Sequence, residues 1–451
     1  MSELTILTAA DSERMQRATA AHLHARGIAR GDRIALMLPG STDLVSCVLG
    51  ALRAGVVPVM LDPALSHHER EFVLSDSVPS LVIDSVAELH ALVDTADALD
   101  ADLASVPLGR PMHYTSGTSG RRKGVWSGVL EQSDAEALVA EEIEQWGFAA
   151  SDRHLVSSLM YHSAPLRFAM NTLLVGGTIG VLPKFTALEW VAAVDQMRPT
   201  TMFLAPAHLS RIQQYAHESQ SMPDLSSVRL VAYAGAPCPA PVQEWAHDVF
   251  PPDTVWEFYG STEGQFTACS PSDSRRRPGS VGRARIGREL MVDENSVIWC
   301  RAPEHAQFTY WGDAEKTAGA WRGEWFTVGD LGRLDDDGFL YLEGRRDDLI
   351  LSGGVNVYPR EVEVALETCP GVIDVAVTSL PDEQWGERVV AVVVGDVSED
   401  ALRNWATREL SPPRRPKEYV FSLHIPRTSS GKLRRRSLLD EVERVPQSKE
   451  E

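Results

Sequence analysis

The chain has 451 residues, 43% hydrophobic and 24% charged, a balance expected of a folded chain two or three domains long and not of a disordered one. Its 43 basic and 63 acidic residues give a formal net charge of −20, which repels a polyanion at long range and excludes broad-surface binding to nucleic acid. No apolar run reaches the ~18 residues of a membrane span: the best stretch, Val45–Leu61, is interrupted by Arg53 and Pro58. Met1–Met15 lacks a basic start followed by an apolar core, so no signal peptide is expected. Cys47, Cys238, Cys269, Cys300 and Cys369 are scattered without a CxxC pair, which predicts a reduced, cytoplasmic chain without a disulfide framework or thiolate metal site.

Ser12–Arg26 reads as a helix stopped by Gly27, and Arg33–Leu38 as a short apolar strand. Leu44, Cys47, Val48 and Ala51 recur at helical spacing up to Gly55, and Val56–Leu61 is a second strand. Ser66 with Glu69 fits a capping box for the next helix, and Ser80–Asp84 is a third strand. This alternation predicts parallel pairing through right-handed crossovers. Ser133–Trp146 reads as an acidic helix with Ser133 and Glu136 placed for another capping box, and Gly176–Leu182, Thr201–Ala205 and Val228–Ala234 as buried strands. Past Gly279, short strands and turns imply a β-rich subdomain. A boundary falls near Arg345–Asp348. After it come a helix over Arg360–Thr368 opened by Pro359, strands at Val372–Leu380 and Val389–Val394, a helix near Asp400–Glu409 and a strand near Tyr419–His424. The expected fold class is α/β: a large N-terminal domain over 1–346 with parallel-rich sheets, helices and a β-rich subdomain, and a small α+β C-terminal domain over 347–451.

Charge is uneven. Between Ser411 and Leu438 there are eight Lys/Arg and one acid, Glu418, so the segment is strongly basic within an acidic chain. It is either a solvated tail or a lobe that meets phosphates.

His113–Val125 reads HYTSGTSGRRKGV, dense in glycine, hydroxyls and cations. Glycines let backbone N–H groups turn toward an anion, hydroxyls add neutral donors, and Lys123 adds a point charge. It is not a Walker loop, because Arg122 stands where the second glycine is required. On composition alone, a surface turn and a phosphate cradle are equally good readings. Three further segments follow in chain order: EFYGSTEG at Glu257–Gly264, WFTVGDLGRLDDDGFLYLEGRRDD at Trp325–Asp348, and RTSSGKLR at Arg427–Arg434.

Together these segments resemble the adenylate-forming (ANL) superfamily of acyl-CoA synthetases, luciferases and peptide-synthetase adenylation domains, over roughly Ala20 to Leu438. Tyr114–Gly124 is similar to its YTSGTTGxPKG loop, with Ser119 for Thr, which keeps the hydroxyl, and Arg122 for Pro, which loosens the turn and adds charge. The resemblance implies that Thr115, Ser116, Gly117, Thr118, Ser119, Gly120 and Lys123 hold the β- and γ-phosphates of ATP. Tyr259 would stack on adenine, Thr262 contact the α-phosphate and Glu263 bind Mg²⁺, a hard cation suited to a carboxylate. Gly235, Ala236 and Pro237 would line the adenine, with Cys238 beside them a packed residue and not a nucleophile. Asp330 would take the ribose hydroxyls and Arg345 a ribose and phosphate contact, while Asp335–Asp337 with Gly338 reads as a hairpin turn and not a metal site. Asp347 would be the hinge of a mobile C-terminal domain. Lys432 would stabilise charge developing on the α-phosphate.

The implied activity is that of an AMP-forming carboxylate–CoA ligase: a carboxylate attacks the α-phosphorus of ATP, pyrophosphate leaves, and the acyl-adenylate passes its acyl group to CoA. Ile350–Glu363 resembles the acyl-CoA synthetase version of its segment, in which Gly353 and Gly354 admit a thin pantetheine arm. Trp385 is either near the CoA nucleotide or a core side chain. His162, in LMYHSAPL, borders the acyl pocket or is a satisfied core histidine. By family position the pocket draws on Tyr161, His162, Phe168, Tyr233, Gly235, Phe258, Gly260 and Gln265, whose aromatics suggest an aryl or medium-length acyl group. The alternative keeps the nucleotide chemistry with a different acceptor or oxyanion: a carrier protein, an amine, or nitrite for aryl-amine diazotisation. A catalytically silent relative is a third reading, opposed by the intact set Lys123, Glu263, Asp330, Arg345 and Lys432. The region between Asp84 and His113 is short for the family and the N-terminus starts late. Oligomeric state therefore stays open, a homodimer among the options. Expected partners are a small carboxylate or other oxyanion, ATP with Mg²⁺, and CoA, with no carrier domain after Lys432.

Overall fold

A computed structural model of the chain describes residues 4–95, 101–116, 122–345, 348–353, 355–382, 384–427 and 433–441. Contacts divide the chain into two compact units, Met1–Leu290 with Cys300–Phe326, and Met291–Trp299 with Thr327–Glu451.

The first unit is built on two six-stranded sheets. In one, the strands Arg33–Leu36, Val57–Met60, Leu81–Ile83 and Met112–Ser116 are parallel, as the strand–helix alternation requires, and Arg122–Trp126 and Thr309–Tyr310 add antiparallel strands at one edge. In the other, Thr178–Val181, Arg153–Val156, Thr201–Leu204, Leu230–Tyr233 and Val255–Glu257 are parallel, and Thr5–Thr8 closes the edge antiparallel. Such strands are apolar throughout because both faces are covered; Ile34, Ala35, Leu36, Met202, Leu204, Val231 and Tyr233 are all 0% exposed.

The helix Thr42–Arg53 packs on Ala9–Ala25 so closely that a Cβ at Gly50 would stand 2.6 Å from the Gln16 carbonyl, so this crossing needs a glycine. The expected capping box forms at the helix His67–Ser77, where Ser66 Oγ accepts from the Glu69 N–H and Glu69 returns to the Ser66 N–H. The second expected box does not form. The helix Gln132–Trp146 begins one residue before Ser133, with Glu131 at its N-cap and no side-chain cap. Glu136 instead accepts from Gln132 Nε2 at 2.7 Å and Ser105 Oγ at 3.0 Å, so a tertiary partner takes the carboxylate the box needs.

In the second unit a hairpin joins Asp330–Leu334 to Leu340–Arg345. Asp335 makes its turn: its carboxylate accepts from the Asp337 and Phe339 N–H groups, and Gly338 takes φ 80°. A five-stranded sheet follows, with the long strand Gly386–Gly395 at its centre, Val372–Asp382 along one edge and the helix Pro359–Glu367 packed on it. The basic segment is partly used up here. Arg414 pairs with Glu361 at 2.8 Å, Arg427 with Asp374 at 2.8 Å and Arg435 with Glu363 at 2.5 Å, while Arg415 and Lys417 bond backbone carbonyls.

Candidate active site

The glycine-rich segment is a β-hairpin. Thr115 faces Lys123 and Ser116 faces Arg122 across antiparallel strands. The connecting residues, with Gly117, Thr118, Ser119 and Gly120, lie outside the described residues. Two contacts fix the base of the hairpin: Tyr114 Oη donates to Asp76 at 2.5 Å, and Arg122 Nη2 to Glu69 Oε1 at 2.5 Å. The Arg122 guanidinium holds the Glu69 carboxyl down at about 2, so the charge that replaces proline is met by a neighbouring helix start.

Tyr259–Thr267 forms a tight reversal. Gly260 pairs with Gln265 and the Ser261 N–H donates to Gly264 O at 2.8 Å, so a Cβ at Gly260 would meet Gln265 Cα at 2.9 Å. This reversal presents Thr262 and Glu263. Glu263 is 7% exposed, and Tyr310 Oη donates to its Oε1 at 2.9 Å. Lys123 Nζ lies 4.7 Å from the Tyr310 ring centroid, so Tyr310 touches both the expected metal carboxylate and the expected phosphate lysine. Nothing in the motifs marked Tyr310, which comes from the edge strand Thr309–Tyr310. Mg²⁺ with a nucleotide takes one or two carboxylate oxygens and fills its shell with phosphate and water. One buried carboxylate on this turn fits that need, and no cluster of three or more acidic, His or Cys side chains competes among the described residues.

Tyr259 is buried with its ring 4.8 Å from Phe266. Gly235, at φ 98°, Ala236 and Pro237 follow the strand Leu230–Tyr233. Tyr161 and His162 pack with ring centroids 4.6 Å apart, tilted by 53°, before the helix Ser163–Leu174. Phe168 and Phe258 pack with Trp146 at 5.3 and 5.4 Å, in one aromatic cluster with Phe148 and Phe203. Tyr233 Oη donates to Glu257 Oε2 at 3.0 Å, as does Gln243 Nε2. Burial pushes the Glu257 carboxyl up to about 7.

Beside the turn lies a cavity of about 90 Å³, lined by Ser261, Thr262, Gly264 and Gln265 and, along one helix face, by Ser163, Arg167, Met170, Asn171 and Leu174. Phe168, Tyr233 and Phe258 are not among its lining residues. Its polar wall is a buried charge network absent from the sequence reading. Arg285 Nη1 donates to Glu142 Oε1 at 2.6 Å, Arg167 pairs with Glu142 Oε2 at 3.2 Å, and Gln265 Nε2 donates to Glu142 at 2.6 Å. Burial raises Glu142, but Arg167 and Arg285 overcome it and hold the carboxyl at about 2. Glu141 pairs with Arg288 at 3.0 Å and His305 at 2.7 Å. Arg110 donates to the carbonyls of Glu263, Ala306 and Gln307 and makes no ion pair among the described residues. The available hint was Arg167 itself, a cation inside the apolar run of APLRFAM. His113, beside the cavity, is 5% exposed and shares a hydrogen bond with Tyr161 O at 2.9 Å; burial pushes it down to about 4.

In the second unit Asp330 is 9% exposed and begins a strand paired with Arg345, whose side chain is outside the described set. Gly353 takes φ 60° and its N–H donates to Trp385 O at 2.8 Å. A Cβ there would meet the Trp385 ring at 2.9 Å, and Lys417 Nζ lies 4.6 Å from that ring. Trp385 is thus half-buried against a glycine and a cation. Asp347, Gly354 and Lys432 lie outside the described residues.

The AMP-binding enzyme family model matches residues 2–109 and 111–297, and the model of its C-terminal domain matches residues 361–432. The chain belongs to the AMP-binding enzymes, the adenylate-forming superfamily. Among its relatives is the long-chain-fatty-acid–CoA ligase FadD13 of Mycobacterium tuberculosis, 32% identical over 91% of this chain and 88% of the relative. The fold is that of o-succinylbenzoate CoA synthetase (MenE) from Bacillus subtilis, solved with its acyl-adenylate intermediate: TM-score 0.81, 26% identity, covering 97% of this chain and 93% of that one. The amide bond synthetase McbA from Marinactinospora thermotolerans matches with TM-score 0.82 and 25% identity over 95% and 93% of the two chains. No helix among the described residues is long and apolar enough to cross a membrane.

Proposed function

We propose that this adenylate-forming enzyme is an AMP-forming carboxylate–CoA ligase that adenylates an acyl or aryl acid and transfers the acyl group to CoA. The observation that carries the reading is the meeting of Glu263 and Lys123 at Tyr310, in a member of a family whose relatives here include CoA ligases. A carboxylate is already ionised near neutral pH and needs no general base. Its oxygen forms the new bond to the α-phosphorus as the bond to pyrophosphate breaks. The thiol of CoA then adds to the acyl carbonyl and AMP leaves. The protein's task is to position reactants and neutralise charge. Glu263 would hold Mg²⁺, which would supply Lewis-acid neutralisation of phosphate charge. Thr262 donates to the α-phosphate, Lys123 and the loop Thr115–Gly120 hold the outer phosphates, and Tyr259 and Asp330 bind adenine and ribose. Lys432 acts in the first half-reaction. Asp347 is the pivot between a nucleotide-binding domain over 1–346 and a mobile domain over 347–451, and Gly353 and Gly354 serve the thioester step. The likeness to McbA keeps an amine acceptor as the second reading. A cytoplasmic setting is part of the proposal, supported by the five cysteines, all free thiols.

The test is ATP–pyrophosphate exchange over a panel of aryl and aliphatic acids, followed by CoA-dependent AMP release with each acid that exchanges. Exchange with thioester supports the reading; exchange with an amine but not with CoA as acceptor replaces it with the second. Lys432→Ala is expected to lower adenylate formation while sparing thioester formation from supplied adenylate.

A further inference from the structure

The buried charges around the cavity do not balance. Three guanidiniums, Arg167, Arg285 and Arg288, pair with two carboxylates, Glu141 and Glu142, while Arg110 bonds only backbone carbonyls among the described residues; the Arg167 side chain is 18% exposed. Glu263 is bonded by Tyr310 and assigned to the metal. Arginine cannot discharge by losing its proton, and an uncompensated buried cation is costly. The mismatch is focused on Arg167. It shares Glu142 with Arg285, and its buried Nη2 donates to no described group. Ser261 Oγ, also in the lining, is likewise buried without a hydrogen-bond partner, as are Gln265 Oε1 and Glu142 Oε2, the latter held by Arg167 only as an ion pair. Leu138, Val139, Met170 and Leu174 give the lining an apolar stretch, beside the polar Ser163, Asn171, Thr262 and Gln265.

The cavity runs along one face of the helix Ser163–Leu174. Arg167 stands four residues after Ser163, so it is about one turn, about 6 Å along the axis, from the end of the cavity next to His162. We infer that the acid activated here carries a second anionic group, held by Arg167 about one helical turn from the reacting carboxylate across an apolar spacer. This rests on the ligase reading and names its substrate class: a dicarboxylic acid, or a carboxylic acid with a distal anion of similar geometry. A guanidinium offers two parallel donors that match a carboxylate, which an isosteric methyl group cannot use.

The test is the specificity ratio, as kcat/KM for ATP–pyrophosphate exchange, between matched acids: glutarate against pentanoate, adipate against hexanoate, isophthalate against 3-methylbenzoate. The wild-type enzyme is expected to favour the diacid by about 100-fold in at least one pair. Arg167→Leu is expected to cut that ratio at least about 30-fold, chiefly through KM for the diacid, since Glu142 keeps Arg285 and Gln265 and the fold is retained. Arg167→Lys keeps the charge but not the fork, and is expected to give an intermediate ratio; it serves if the leucine variant does not fold. A wild-type preference for the monoacid in every pair, or a ratio unmoved by either variant, overturns the inference while leaving the ligase reading intact. Exchange with no acid of either series overturns both.

Discussion

Glu142, buried, and Glu257, half-buried, lie in the same compact unit, and their carboxyls are shifted in opposite directions. Glu142 faces Arg167 and Arg285 and is kept ionised, near 2; Glu257 faces the Tyr233 phenol and the Gln243 amide and is pushed up to about 7. Burial acts on both in the same direction. The difference lies in the partners: two fixed cations overcome desolvation, and two neutral donors do not. Depth alone therefore does not tell which carboxylates of this fold carry charge. Glu263 stands between the two, buried, bonded by one neutral phenol and available to a cation from outside the chain.

The comparison breaks most sharply if Glu142 loses a cation. Arg285→Met is expected to lower stability by about 3 kcal/mol in urea unfolding at pH 7.5, because the buried Glu142 carboxylate loses the guanidinium that hydrogen-bonds it at 2.6 Å and keeps only the looser Arg167 pair at 3.2 Å. Next comes Glu257→Gln. The folded-state pKa of Glu257 lies above its ordinary value of 4.5, so wild-type stability falls as pH rises from about 4.5 to about 7 and is level beyond. The glutamine variant lacks that loss and is expected to be more stable at pH 8, by on the order of 2–3 kcal/mol, with the gain fading toward pH 4.5. Equal gains at both pH values would mean that Glu257 titrates alike in the folded and unfolded chain, which would contradict its raised pKa. Tyr310→Phe removes the one described hydrogen bond to the Glu263 carboxylate and is expected to raise the Mg²⁺ concentration for half-maximal exchange about fivefold. The smallest effect belongs to an exposed pair. Arg403 bonds Glu399 one helical turn away, with side chains 47% and 36% exposed, and Arg403→Ala should cost less than about 0.5 kcal/mol.

The parts of the fold set by local chemistry were legible in the sequence. Gly27 and Gly55 take positive φ where helices were expected to stop, Ser66 and Glu69 close their box, and Asp335 with Gly338 turns the hairpin. Ser133 and Glu136 misled because Ser105, far away in sequence, claims Glu136. The nucleotide motifs were legible because each is a short run whose spacing carries the chemistry. The charged cavity was not. Arg285 and Glu142 are 143 residues apart, and each alone reads as an ordinary surface charge; the acidic helix Gln132–Trp146 gave no sign that Glu142 points inward while Glu136 faces solvent. Tyr310 was missed for the same reason, since its meeting with Glu263 is made by an edge strand pairing.

The central claim is that a substrate carboxylate oxygen attacks the α-phosphorus of ATP and leaves with AMP. An acid that supports AMP release should be supplied with both carboxylate oxygens as ¹⁸O, together with ATP, Mg²⁺ and CoA, and the products resolved by mass spectrometry. The account predicts one ¹⁸O in each AMP and none in pyrophosphate. Label in pyrophosphate or phosphate, or AMP formed without label, would contradict it.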